Sequence, residues 1–205
     1  MKYFKIIISC VLCLAIAGCF SSTYVKRNQY LLNPHPFPIK PTKMHKYEVT
    51  VNNVSVAAPF NQLSFIYRLS DYQYLTDYYH TFAIPLSQQF DSLLLNYSHA
   101  LGNFTPISIY ELVNTDYKLQ PVITQFYADY RDRNHPQAVV TLNLKLFKRE
   151  EKQTKMIMNK SFTAHTSIQV KDTEHLLIAW QQGLQNVITQ GIRNLNQMFG
   201  TFNQQ

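Results

Sequence analysis

Between residues 138 and 150 the chain reads AVVTLNLKLFKRE. Apolar and polar positions alternate there: Val140, Leu142, Leu144 and Leu146 on one side, Thr141, Asn143 and Lys145 on the other. A period of two predicts a strand with one face buried and one wet, as in an antiparallel sheet. MIMNKSFTAHTSIQV at 156–170 brings the chain back and is predicted to pair with it. The connecting stretch, KLFKREEKQTK at 145–155, mixes both signs of charge and reads as a solvated hairpin tip. Upstream, YKLQPVITQFYADY at 117–130 predicts a long strand and FTPISIYEL at 104–112 a short one. YEVTVNNVSVA at 47–57 reads as a strand with a bulge or turn at Asn52–Asn53, and LSFIYRLS at 63–70 as a second. The two are expected to form a hairpin around Pro59–Gln62. YQYLTDYYHTFA at 72–83 reads as extended, with Tyr72, Tyr74, Tyr78, His80 and Phe82 on one parity.

Two segments change period. Leu86, Phe90, Leu93, Leu94, Tyr97 and Leu101 fall on one stripe of a helix, with Pro85 in its first turn and Gly102–Asn103 as a left-handed stop. Leu176, Leu177, Trp180, Leu184, Val187, Ile188, Ile192, Leu195 and Phe199 mark a longer helix, capped by Asp172 or Thr173 and ended by Gly200. Strands, helix, strands, helix predict an α+β fold: a mainly antiparallel sheet with both amphipathic helices on its one apolar face.

The N-terminus carries a different pattern. Lys2 and Lys5 precede an apolar run from Ile6 to Ile16, then the small residues Ala17 and Gly18, then Cys19. Positive head, apolar core and small-residue site are the order of a secretory signal. The run is short for a bilayer span, which takes about 20 residues. Ile16-Ala17-Gly18-Cys19 resembles the bacterial lipobox. That resemblance implies diacylglycerol transfer to the Cys19 thiol, cleavage between Gly18 and Cys19, and acylation of the new N-terminus. Phe20, rather than Asp, follows the cysteine, which favours the outer over the inner membrane. Pro34, Pro36, Pro38 and Pro41 then make a semi-rigid spacer, interrupted by QYLL at 29–32 as a short edge strand. The division is 1–18 signal peptide, 19–45 lipidated N-terminus and tether, and 46–205 the α+β domain.

Composition narrows the function. Cys10 and Cys13 leave with the signal and Cys19 is acylated, so no thiol remains for a disulfide, a metal or a nucleophile. The chain has 19 basic and 12 acidic residues, and losing Lys2 and Lys5 leaves 17 − 12 = +5. That surplus is dispersed, and export argues against nucleic acid as its partner. There is no Gly-rich phosphate loop and no G-x-S-x-G elbow, and the seven histidines lack metal-ligand spacing. Asp77 and His80 with a nearby serine form a triad only by chance, because no nucleophile motif accompanies them. The expectation is no catalysis, no metal and no cofactor. The aromatic run from Tyr67 to Phe82 keeps two roles open, cross-strand packing and a partner interface. Phe60, Asn61, Tyr67, Arg68, Tyr78 and Tyr79 are its candidate residues.

With the lipobox at Cys19, the segments YLL at 30–32, VSVAAPFNQLSFIYRLSDYQY at 54–74 and DYYHTFAIPL at 77–86 resemble the ABC-type transport auxiliary lipoprotein family, the PqiC-like lipoproteins of MCE lipid-transport systems. AVVTLNLKLF, KSFTAHTSI and the final amphipathic helix fit the same pattern; Asn96-Tyr97 stands where a Trp is more usual. The resemblance implies a periplasmic α+β domain anchored to the outer membrane. It also implies a non-catalytic role beside an MCE-domain protein, and homo-oligomerisation. A stand-alone structural or assembly lipoprotein, or a periplasmic hydrolase, are the alternatives.

Overall fold

A computed structural model describes residues 26–32, 45–111, 113–151 and 153–202. Gly18 and Cys19, with the rest of the expected signal and most of the tether, lie outside the described residues. Among the described residues no helix is long and apolar enough to cross a membrane.

The centre of the fold is a three-strand antiparallel ladder: β7 (Tyr117–Asp129), β8 (Gln137–Arg149) and β9 (Thr154–Ser167). The expected apolar face is buried at Val140, Leu142, Leu144 and Leu146; on the expected wet face Asn143 and Lys145 are partly exposed, but Thr141 is buried, its hydroxyl held by Gln125 and Thr163. Glu150 and Gln153 close the expected solvated tip through a backbone hydrogen bond of 2.8 Å. Along the other edge of β7 lie β2 (Glu48–Val51), β3 (Ser55–Val56) and β4 (Ser64–Arg68), end to end and all parallel to it. Beyond β2 sits β6 (Thr105–Ser108), and beyond β4 sit β5 (Tyr74–Phe82) and then β1 (Asn28–Tyr30).

The hairpin expected around Pro59–Gln62 is therefore not formed. Residues 48–68 make one interrupted run along β7, pairing at Tyr117–Leu119, Val122–Ile123 and Ala128–Asp129 in turn. The break at Asn52–Asn53 and the loop at 57–63 advance the chain without turning it back. The hairpin partner of β4 is β5 instead. The α+β class holds, and the sheet is mixed: its long ladders are antiparallel, and shorter parallel pairings extend it.

Both helices cover one face, as expected. α1 (Leu86–Leu101) and α2 (Thr173–Phe202) meet on the ring of Phe126, which lies 5.5 Å from Phe90 and 4.8 Å from Trp180. Trp180 also contacts Phe65 and Phe82, so one indole joins α2 to β4, β5 and β7. At the other end of α2, Phe199 packs on Tyr47, Phe104 and Tyr117. Gly183 and Gly191 bring α2 close to β8: added Cβ atoms would lie 3.2 Å from Val140 and 2.6 Å from Leu144. Asp172 caps α2 by accepting from the His175 N–H at 2.8 Å.

Three terminal details differ from the sequence reading. Pro85 is the N-cap of α1, with Leu86 the first helical residue. Gly200 does not end α2, which continues to Phe202 because that ring still has Phe199 and Tyr117 to pack on. Gly102 is extended (φ −73°, ψ 141°), not left-handed. Its glycine identity follows from space: a Cβ would sit 2.5 Å from the Ser98 carbonyl oxygen, which accepts the Gly102 N–H. Gly102→Ala is accordingly expected to destabilise the fold by about 1–3 kcal/mol, as overpacking against fixed backbone does. Urea unfolding checks this, and an unchanged midpoint would show that the turn relaxes freely.

Candidate functional site

The candidate residues converge on the end of the sheet formed by the β4–β5 hairpin. A carboxylate organises it. In β5 the register against β4 jumps between Thr81 and Thr76, leaving Asp77–His80 as a bulge. Asp77 holds the bulge. Its Oδ1 accepts the N–H groups of Tyr79 (2.7 Å) and His80 (3.1 Å). Its Oδ2 accepts the Tyr67 hydroxyl at 2.7 Å and lies 2.8 Å from His80 Nδ1. The bulge also breaks the common parity expected for Tyr72 to Phe82. Phe82 faces the helices beside Trp180, whereas Tyr74 packs on the opposite face against Phe60 and Tyr127.

So Asp77 and His80 do meet, but as a structural staple. Burial alone would push the Asp77 carboxyl up; the Tyr67 hydroxyl and the Tyr79 and His80 N–H groups outweigh it and hold the group below the usual carboxylate range. Burial and the bond to Asp77 push the Tyr67 phenol well above its ordinary range, so it stays protonated as a donor. The third partner of the acid is thus a tyrosine held protonated, and the His80 ring packs beside both Tyr30 and Phe65, at 5.9 and 6.1 Å, while those two rings lie 5.5 Å from each other.

Tyr67→Phe removes a hydrogen bond to a charged, nearly buried acceptor, so it is expected to cost about 1.5–3 kcal/mol at pH 7. A carboxyl held low in the folded state stabilises fully above its unfolded value of about 3.9 and loses that contribution as pH falls through the folded value. The difference between parent and variant should therefore be constant from neutrality to about pH 5 and shrink below about pH 4. Unfolding curves across that range check it; a difference that grows on acidification would contradict the staple.

On the opposite face, Phe60 is buried with its ring 5.7 Å from Tyr127, at the end of a loop holding a cis Ala58–Pro59 bond. Asn61 is exposed. Arg68 lies over the rings of Tyr74 and Tyr127 at 5.6 and 5.9 Å. Its guanidinium reaches Asp71, which also pairs with Arg131 at 2.7 Å. Arg131 grips Asp129 through both Nε and a terminal nitrogen. Burial pushes the Asp129 carboxyl up, but the Arg131 bonds outweigh it and hold it low. Sequence reasoning found Arg68 but missed Asp71, Asp129 and Arg131. They come from two separate segments, Asp71 after β4 and Asp129 with Arg131 at the end of β7, and the alignment of β4 with that end brings them together.

Tyr78 and Tyr79 both point outward, about half exposed. With Leu69, Tyr72 and Leu75 they are exposed apolar and aromatic residues strung along the hairpin rim from its turn (Leu69, Tyr72) to the β5 bulge (Tyr78, Tyr79), with Tyr72 97% exposed. The guanidinium of Arg27, just ahead of β1, sits 4.0 Å over the Tyr78 ring. No group of three or more His, Cys, Asp or Glu side chains among the described residues has metal-binding geometry. The site is an ordered, charged and aromatic surface.

The family model described as ABC-type transport auxiliary lipoprotein component matches residues 30–190. A Xanthomonas campestris protein of the DUF330 family model superposes with a TM-score of 0.69 at 19% identity, covering 90% of this chain and all of its own. A second crystal structure, of an uncharacterized protein, gives 0.61 at 16% identity over 83% of this chain and 99% of its own. At these identities the likeness speaks for the fold. No curated protein matches the chain.

Proposed function

The chain belongs to the ABC-type transport auxiliary lipoprotein component family, and from that premise we propose that it is a lipid-anchored, non-catalytic subunit that positions an MCE-type lipid-transport assembly at the outer membrane. The observation that carries the reading is the family match across nearly the whole folded domain, directly downstream of Ile16-Ala17-Gly18-Cys19. Cys19 is the anchor, on the periplasmic face, and the nine positions from Cys19 to Asn28, where β1 joins the sheet, set the reach of the domain. The satisfied state of Asp77 and the protonated Tyr67 support a binding role over a hydrolytic one. The proposed partners are an MCE-domain protein and further copies of this chain.

Photo-crosslinking in cells from the exposed Asn61 is the test. Capture of an MCE-domain protein supports the proposal. Capture restricted to cell-wall or outer-membrane assembly factors would overturn it in favour of a stand-alone structural lipoprotein. Turnover of any ester, phosphate or glycoside substrate by the purified protein, lost on His80→Ala, would overturn the non-catalytic assignment.

A further inference from the structure

We propose that the β4–β5 hairpin end is a second membrane contact: its aromatic rim seats in the interface of the bilayer that holds the acyl chains. The inference rests on the reading of Cys19 as acylated and adds the orientation of the domain on the membrane.

Three observations lead there. The first is direction. β1 runs parallel to β5 with Asn28 opposite His80 and Tyr30 opposite Phe82. The chain ahead of β1 therefore enters from the side on which β5 begins, which is the side of the hairpin end.

The second is length. Cys19 precedes Asn28 by nine positions. Nine residues reach at most about 30 Å when fully extended. His80 and Asp71 are also nine positions apart, so the tether reaches about as far as the β5 arm and its turn. With so short a lead, the acylated residue stays within reach of the hairpin end, and the bilayer lies beside it. The opposite end of the sheet, where β9 begins, is a full strand length further away.

The third is chemistry. β1 covers β5 only over His80–Phe82. The uncovered part presents Leu75, Tyr78 and Tyr79, with Leu69 and Tyr72 at the turn. An edge left to water is normally defended by charge. The outer strand β9 follows that rule, carrying Lys155, Lys160 and His165. The β5 arm carries tyrosines instead, the Asp71 at its turn being paired with Arg131, and their apolar rings and polar hydroxyls suit the headgroup level of a bilayer. Arg27 stands over the Tyr78 ring, with Lys26 next in the chain, as cations do at a membrane surface.

The test uses the full acylated protein on vesicles of phosphatidylcholine with a minority of phosphatidylglycerol, with and without bromine on the acyl chains. Tyr72→Trp and Tyr79→Trp report from the rim, Met156→Trp from the opposite end of the sheet, and the parent, whose fully buried Trp180 is common to all, gives the background. The rim indoles should lose about half their emission to brominated lipid, as expected for a group about 5–10 Å into the boundary, while Met156→Trp is unchanged. Vesicle-bound protein with no rim quenching overturns the inference and leaves the anchor intact. A blue-shifted rim indole that brominated lipid does not quench overturns it in favour of a second copy or a protein partner. An intact mass without acyl chains on residue 19 shows that the anchor itself is wrong, and the contact falls with it.

Discussion

Trp180→Ala is expected to be the most damaging single change in the folded domain, lowering its stability by about 3–5 kcal/mol. Trp180 is 0% exposed. Its ring is stacked on Phe126, edge-on to Phe65 and tilted on Phe82, and its N–H donates to the Tyr127 carbonyl at 3.2 Å. Truncation would open a cavity lined by rings from three strands and leave that buried carbonyl without its donor. Those strands hold their positions through the β7 ladder, so the cavity cannot close by a local shift. Domains of this size are stable by only about 5–15 kcal/mol, so the loss is a large fraction of the total. Urea unfolding followed by far-UV circular dichroism measures it. A loss below about 1 kcal/mol would mean that Trp180 is not the joint between α2 and the β4–β5–β7 end of the sheet.

The second large effect is on location. Cys19→Ser removes the only thiol that the lipobox pattern places after a small residue at the end of the apolar run. Fatty-acid label should disappear from the protein, and the domain should move from the membrane fraction to the soluble fraction or remain as uncleaved precursor. One acyl chain binds a bilayer only reversibly, and each buried methylene adds about 0.8 kcal/mol, so several chains on one residue account for firm attachment. The folded domain should be unaffected, because it begins downstream of residue 19. Fatty-acid label persisting on Cys19→Ser would place acylation elsewhere and end the lipobox reading.

Much of the fold was legible in residues 86–101 and 137–202. There local pattern and tertiary demand coincide: one face of β8 meets one stripe of α2, so period two and period 3.6 each report the same core. The segment from 48 to 68 was less legible. Its apolar residues predict strands correctly, but turn chemistry around Pro59 suggested a reversal. What decides the topology is the long edge of β7, whose paired residues lie 61 to 68 positions away and are not revealed by local sequence. Gly102 shows the same limit on a smaller scale, since its identity answers the Ser98 carbonyl and not a left-handed backbone. In the candidate site, the aromatic run was visible as composition. Its division between faces was not, because it depends on a bulge that Asp77 creates by accepting from the backbone of Tyr79 and His80. Asp71, Asp129 and Arg131 carry no local signal of their pairing and had to be seen in three dimensions.

On the proposed reading this ordered surface stands next to a membrane, and the attachment is where that reading is most exposed. Mass spectrometry of the native protein extracted from membranes, with fragmentation of its N-terminal peptide, addresses it directly. The account predicts a chain beginning at residue 19 that carries a diacylglyceryl thioether and an acylated amine. A chain that still holds its leader, or one beginning with an unmodified cysteine, would contradict it.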